Sequence, residues 1–451
     1  MIIEYDLIVI GASPEGIHAA LTATSFNARV ALVEQPYVES PHLGNRILGN
    51  FAHLDHPEEV KHRRSLILST KAFGYSPAIL ADRGVDVISE KGEFCPQPNL
   101  TFITKHRRLR ARAYLIATGS VPKIPHGLGL EEVGYLTPLS LWDNLSYLPQ
   151  NLVVLGSNPS ALELGQSLAL SGRNVTLLVH HNRILPQEDP EVSLFIQRSL
   201  EADGINIITA APLTQVKEIE GKKWVQVGNR AIESEEIVLA GVRRANVEGL
   251  NLEGVGVKDG ILINEKLQTT NPMIYACGDV VGGYALSHLA MFEAEIAVKN
   301  ALFWPFFKVD YNSIPWAIFT VPQVARVGMT AAQAICYYGE EVEVVREYFK
   351  DIPYAQVLGE TTGFCQFVIR DSGVILGAYI VGAEAAELIG AIALAMKHKI
   401  KLDQLGAFPY LTLSQIIPQT SKVWQGYRRK RHRFWQNCWE NLFIWRRNWT
   451  K

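Results

Sequence analysis

Apolar and polar positions along the chain fall into a repeated unit: a short solid apolar run, a glycine-bearing turn, and a longer stretch with apolar residues at helical spacing. The first copy opens with Tyr5-Asp6-Leu7-Ile8-Val9-Ile10, turns through GASPEG at residues 11–16 and continues as IHAALTA. A strand-length run, then a turn, then helical periodicity reads as strand, tight turn and helix. The next apolar run, Arg29-Val30-Ala31-Leu32-Val33, closes on Glu34. A second copy starts at Asn151, where LVVLGSNPSALELGQSLALSGRNVTLLV repeats strand, turn, helix and strand. This alternation predicts an α/β fold with a doubly wound sheet around each turn.

Both turns have the residue types that dinucleotide binding needs. In the first, Gly11 permits the sharp turn, Ser13 is small enough for a pyrophosphate to approach, and Gly16 allows the helix to pack closely on the strand. Ser13 stands where the usual fingerprint has glycine. Glu34 lies at the distance where a carboxylate accepts hydrogen bonds from a ribose diol. The second turn reads Gly156, Asn158, Ala161, and Asn158 is expected in a left-handed conformation, which Asn tolerates best among the non-glycine residues. Beyond the following strand, Val179-His180-His181-Asn182-Arg183 offers no carboxylate for a ribose 2′-hydroxyl. Two imidazoles and a guanidinium would instead suit a 2′-phosphate, so NADPH is preferred over NADH. The competing reading leaves His180 and His181 as solvated loop residues.

These residues, with Ala117-Thr118-Gly119 and the run TTNPMIYACGDV at residues 269–280, resemble the pyridine nucleotide-disulfide oxidoreductase family of two-dinucleotide-domain flavoproteins. The likeness covers residues 1 to about 421 and takes in the dihydrolipoamide dehydrogenase, mercuric reductase and soluble transhydrogenase branches. It implies two Rossmann-like dinucleotide-binding domains plus an α+β C-terminal dimerisation domain, and hence a homodimer. The first turn would hold FAD, with Thr118 and Gly119 closing the FAD half and Gly278 and Asp279 reaching the flavin ribityl chain. The second turn would hold the nicotinamide nucleotide. Domain limits follow as 1–145 and 246–310 for the two parts of the FAD domain, 146–245 for the NAD(P)H domain, 311–421 for dimerisation and 422–451 for a tail.

Departures from the family pattern bear on the chemistry. Disulfide-reducing members carry two cysteines four residues apart shortly after the FAD acid, followed by a lysine near the flavin. Here that region reads PHLGNRILGNFAHLD, and the next lysine is Lys61. Glu163, which matches the lysine's usual partner, is thereby left alone. The family's C-terminal His–Glu pair is replaced in FPYLTLSQ by Tyr410 and Gln415. A phenol titrates near ~10 and an amide does not titrate, so neither serves as a general base at neutral pH. The five cysteines, at 95, 277, 336, 365 and 438, show no dithiol or metal spacing and read as ordinary small buried residues. No metal site is expected. FPYLT is similar to the mercuric reductase branch, but mercury chemistry needs arranged thiolates, and none are arranged here.

Composition changes the picture in one place. With 48% hydrophobic and 20% charged residues the chain reads as an ordinary globular protein of about three domains. No leader pattern and no apolar run of ~18 residues appear, so cytoplasmic residence is expected. Residues 422–451, however, hold nine Lys or Arg against Glu440, a net of +8 that leaves −10 on the remainder of a chain whose charge is −2. Five of the nine tryptophans fall there: Trp424, Trp435, Trp439, Trp445 and Trp449. Trp435, Cys438, Trp439, Leu442, Trp445 and Trp449 recur at three- and four-residue spacing and would share one helix face. A basic amphipathic helix of this kind suits an anionic membrane surface. The competing reading docks the tryptophans on the protein's own dimer. Nucleic acid is disfavoured by the acidic body.

The expected activity is an FAD-dependent transfer of electrons from NADPH or NADH to a non-disulfide acceptor such as a quinone, without disulfide reductase activity. Glu163 and Tyr410 would line the flavin. The alternatives are a soluble transhydrogenase or diaphorase, and a catalytically silent FAD-binding redox sensor.

Overall fold

The computed structural model describes residues 3–35, 47–49, 57–73, 75–258, 260–283, 286–407, 411–431 and 433–449. The chain divides into two compact units, one formed by residues 1–186 and 200–309, the other by 187–199 and 310–451.

The first unit is built on two parallel sheets. The first sheet runs Ile274–Ala276, Ala111–Ile116, Tyr5–Ile10, Val30–Val33, Val85–Ile88, every neighbour parallel. Alternation along the strands sends side chains to opposite faces. Leu7, Val9, Ala113 and Leu115 meet the small residues Ala19, Ala20, Ala23, Ala294 and Ala297 of two helices, Pro14–Ser25 and Ser287–Leu302. Ile8, Ile10, Tyr114 and Ile116 meet Phe94, Phe102, Leu250 and Val255 on the other face. Burial of each such large side chain contributes ~1.5–3 kcal/mol. The strand Ile274–Ala276, which leads into Gly278 and Asp279, pairs beside the strand that leads into Thr118 and Gly119. Both motifs therefore emerge at the same end of one sheet.

The second sheet repeats the plan with Asn206–Ile208, Asn174–Leu178, Asn151–Leu155, Glu236–Leu239 in parallel order. Its helix Pro159–Leu170 buries Leu162, Leu164 and Leu168. An antiparallel three-stranded sheet, Leu213–Ile219, Lys222–Val227, Arg230–Ser234, covers Val153, Leu155, Ile237 and Leu239 with Val216, Val225 and Val227.

The second unit centres on a five-stranded antiparallel sheet in the order Trp316–Ile318, Gln323–Gly328, Ile375–Gly382, Phe364–Arg370, Val342–Tyr348. The helices Ala385–Lys397 and Ile416–Arg431 pack on it. Residues 187–199 join this unit through a buried polar knot. The Tyr379 hydroxyl donates to Glu188 at 2.8 Å, Arg326 pairs with Glu188 at 3.2 Å, and Asp189 accepts from the Ala331 N–H and the Gln366 amide.

Two sequence expectations are corrected here. Trp424, counted with the tail, is among the largest fully buried side chains of the core, and its Nε1 donates to Glu343 at 2.9 Å. The helix that holds it runs unbroken past residue 422, so composition places the tail's start too early. The cysteines are also not uniformly buried: Cys277 and Cys365 are, whereas Cys336 and Cys438 are exposed and Cys95 lies between. The tail itself continues as the helix Arg433–Trp449.

Candidate functional site

The first glycine turn joins the strand Tyr5–Ile10 to the helix Pro14–Ser25. Gly11 sits at φ +110°, and a Cβ there would lie 2.3 Å from the Ala117 carbonyl oxygen. A Cβ on Gly16 would lie 2.1 Å from the Gly11 oxygen. No larger residue fits either position. Ser13 is fully buried at φ −65°, ordinary extended backbone, which explains why glycine is dispensable there. Its hydroxyl donates to the Ala117 oxygen at 2.8 Å and accepts the Gly16 N–H at 3.2 Å, capping the helix. Glu34 follows the neighbouring strand, half-buried, its N–H bonded to the Ile88 oxygen.

Three carboxylates converge beside this turn. Glu15, from the first turn of the helix, is buried with its Cγ 2.9 Å from where a Gly278 Cβ would stand. Burial pushes its carboxyl up to about 7, and the negative charges of Asp279 and Glu293 add to the effect. Glu293 accepts the Gly278 N–H at 2.7 Å, fixing the backbone ahead of Asp279. Cys277, wholly enclosed between them, has its thiol pushed well above the usual range by burial, then by Glu15 and Glu293. Sequence reading found Gly278 and Asp279 and missed Glu15 and Glu293. The available signal was an acid in the turn itself and another inside the apolar run LAMFEAEIAV. Thr118 and Gly119 close the site: the Thr118 hydroxyl donates to the Asn246 oxygen at 2.7 Å, and the Asn246 amide returns to the Thr118 oxygen at 3.1 Å.

The second turn joins Asn151–Leu155 to Pro159–Leu170. A Cβ on Gly156 would meet the Ala240 oxygen at 2.7 Å and the Ala161 Cβ at 2.8 Å, so Gly156 and Ala161 pack against each other. Asn158 is not left-handed, as the sequence suggested; it lies at φ −86°, ψ 168°. Its side chain is used as a cap, with Oδ1 accepting the Ala161 N–H at 2.9 Å and Nδ2 donating to the Gly241 oxygen at 2.9 Å. His180 and His181 are exposed after the next strand, rings 5.5 Å apart, and Arg183 is half-buried with its guanidinium donating to the Pro186 oxygen at 2.7 Å. The imidazoles are thus open to a ligand, while the guanidinium is already engaged by its own loop.

Glu163 is buried in the helix Pro159–Leu170 and is not without a partner, contrary to the sequence reading. Tyr410 lies outside the described residues, as does most of the stretch after Glu34. Gln415 ends a short helical turn, its N–H bonded to the Thr412 oxygen. Among the described residues no cluster of metal-ligating side chains occurs. Both turns run from the end of a parallel strand into a helix N-terminus with glycine packed against backbone, the arrangement that admits a dinucleotide pyrophosphate.

Comparison with known proteins places this geometry. Residues 5–294 match the pyridine nucleotide-disulphide oxidoreductase model, and residues 314–419 match the dimerisation domain that accompanies it. The mercuric reductase of Staphylococcus aureus is 32% identical, over 91% of this chain and 81% of that protein. The dihydrolipoyl dehydrogenase of Bacillus subtilis is 28% identical, over 94% and 99%. Among solved structures, the HOCl-induced flavoprotein disulfide reductase RclA from Escherichia coli superposes with a TM-score of 0.82 at 24% identity, covering 94% of this chain and all of the other. That likeness concerns the fold. FAD and NAD(P)H are the cofactors of this family, and the dimerisation domain makes a homodimer its assembly. With its two α/β nucleotide domains and its C-terminal domain, the chain belongs to the pyridine nucleotide-disulphide oxidoreductase family.

Proposed function

We propose that the protein is an FAD-dependent NAD(P)H oxidoreductase that prefers NADPH and delivers electrons to an acceptor other than a disulfide, most simply a quinone. One observation carries this reading: the thiol nucleophile and the acid–base pair of disulfide reduction are missing together. No cysteine occurs before Cys95, and Tyr410 and Gln415 stand where the base pair would be. The remaining buried thiols do not substitute, since burial pushes Cys365 to about 12 and Cys277 well upward.

A bound flavin supplies hydride acceptance from the nicotinamide and onward electron transfer. The chain's own residues bind and orient. Gly11, Ser13, Gly16 and Glu34, with Thr118, Gly119, Gly278 and Asp279, form the set we assign to FAD. Gly156, Asn158 and Ala161 form the set for the nicotinamide nucleotide, with His180, His181 and Arg183 around its 2′-phosphate. Glu163 and Tyr410 are assigned to the flavin surroundings. The overall step balances as NADPH giving a hydride and the quinone taking its two electrons, its proton and one solvent proton to become quinol. A lipid quinone is the acceptor that a flavoenzyme docked on an anionic membrane through residues 422–451 would meet.

Anaerobic stopped-flow absorbance near 450 nm tests the reading. Bleaching by NADPH faster than by NADH, followed by reoxidation with a quinone, is the expected result. Reoxidation by NAD⁺ alone would point to transhydrogenation, and a yellow protein that never bleaches would overturn the enzyme assignment.

A further inference from the structure

An aromatic surface that neither nucleotide site uses lies at the C-terminal end of the helix Ser287–Leu302. The segment FWPFF at residues 303–307 leaves four rings in solvent: Phe303, Trp304, Phe306 and Phe307 are 53%, 70%, 75% and 49% exposed. Phe26, itself 43% exposed, stands edge-on to Phe303 at 5.3 Å and widens the patch. Contiguous apolar exposure on this scale marks a contact surface.

The loop is built rather than loose. Asn300, almost fully buried, donates to the Phe307 oxygen at 2.8 Å and to the Lys266 oxygen at 3.0 Å, and accepts the Phe307 N–H at 3.0 Å. The Phe306 N–H bonds the Trp304 oxygen at 2.7 Å, the Phe303 N–H bonds the Lys299 oxygen at 3.1 Å, and Pro305 has no N–H to satisfy. Backbone groups bonded internally can enter a region poor in water, and a backbone already held this way loses little entropy on doing so. No acid interrupts residues 299–309, which include Lys299 and Lys308.

The second unit shows the same chemistry. On the helix Arg433–Trp449, Trp439, Leu442, Phe443, Trp445 and Trp449 are exposed, with the rings of Trp445 and Trp449 4.5 Å apart and tilted by 37°. Arg446 and Arg447 lie among and beside them in the last turn; with Arg433 and against Glu440 the helix nets +2 of the +8 of residues 422–451, and most of the remainder falls at residues 428–431 just before it. Indole and phenyl rings favour the bilayer interface, and cations on the same element meet anionic headgroups while their stems stay apolar.

We infer that the Phe303–Phe307 loop inserts into an anionic lipid surface, a lipid contact of its own beside that of the tail helix. The charge of the tail selects anionic lipid, whereas the loop contributes chiefly depth. This inference shares with the proposed function only the membrane, and lipid binding needs no flavin turnover, so each fails separately.

The test is co-sedimentation of the full chain with vesicles of phosphatidylcholine containing a third phosphatidylglycerol, and with phosphatidylcholine alone. Binding is expected on the anionic vesicles and to fall roughly tenfold or more in the double variant Trp304→Ala, Phe306→Ala. Arg446→Glu with Arg447→Glu is expected to weaken anionic binding comparably and to make it less salt-sensitive. Flavin absorbance confirms that each variant is folded. Pelleting unchanged by the loop variant overturns the proposal, and so does a loop variant that instead changes the mass in light scattering, which would make the patch a contact between copies of the chain.

Discussion

The first glycine turn is walled by carboxylates and the second is followed by imidazoles. Glu15, Asp279 and Glu293 gather at the one, and His180 and His181 stand beyond the other. The backbone device is nevertheless the same. Ser13 and Asn158 occupy equivalent positions, both extended, both accepting the N–H three residues on, and both donating to a carbonyl just past the end of an adjacent strand, Ala117 or Gly241. The duplicated scaffold therefore sets where a pyrophosphate can sit, and side chains outside the turn set which nucleotide is favoured and at what pH.

The largest effect should come from closing the turns. Gly11→Ala must displace the Ala117 carbonyl at a positive φ, a cost of about 3 kcal/mol or more. We expect that variant to purify without flavin colour. Gly156→Ala should instead keep its flavin and raise the KM for NADPH at least about tenfold. If both variants lose flavin, the two turns are not separable in function.

Glu15 gives the next largest difference, because the second turn has no counterpart. An acid raised to about 7 in the folded state and near 4.5 when unfolded holds its proton only in the native protein between those values. Stability attributable to it is thus greatest near and below pH 4.5 and falls as pH rises to 7, by up to about 3 kcal/mol. Glu15→Gln should flatten the Tm-against-pH curve over that interval, and a Tm profile parallel to the parent's would remove the carboxylate from the account.

His180→Ala with His181→Ala sharpens the comparison on the other side. The KM for NADPH is expected to rise about tenfold with NADH unaffected, read from steady-state bleaching rates. Equal changes for both nucleotides would return the pair to the status of solvated loop residues. The smallest effect is that of the caps: Ser13→Ala and Asn158→Ala should each lower stability by about 1 kcal/mol, measured by denaturant midpoint.

Much of this was legible in the sequence because it is local. A strand, a turn and a helix within thirty residues announce themselves by period and glycine spacing, and Gly11, Gly16 and Gly156 stand where that pattern put them. What is long-range was not legible. Glu15 and Glu293 meet at Gly278 from positions far apart in the chain, and no window around either shows it. Asn158 was misjudged because residue type was read as conformation, whereas its amide does the bonding. Trp424 was misjudged for the opposite reason: local composition grouped it with the exposed tryptophans, but the sheet beneath it decides its place.

That last placement sets how far the gene can be shortened. Trp424 lies over Gly373, with Arg428 stacked 5.3 Å from its ring. A stop codon at position 433 would delete the helix Arg433–Trp449 and should leave a folded, flavin-bearing protein, which on the proposed lipid contact would pellet less with anionic vesicles. One at position 424 would remove an indole from the core and its donor from Glu343, a loss of about 3–5 kcal/mol that should appear as insoluble chain. Nine codons, 424 to 432, thus separate the loss of one exposed helix from the loss of the fold.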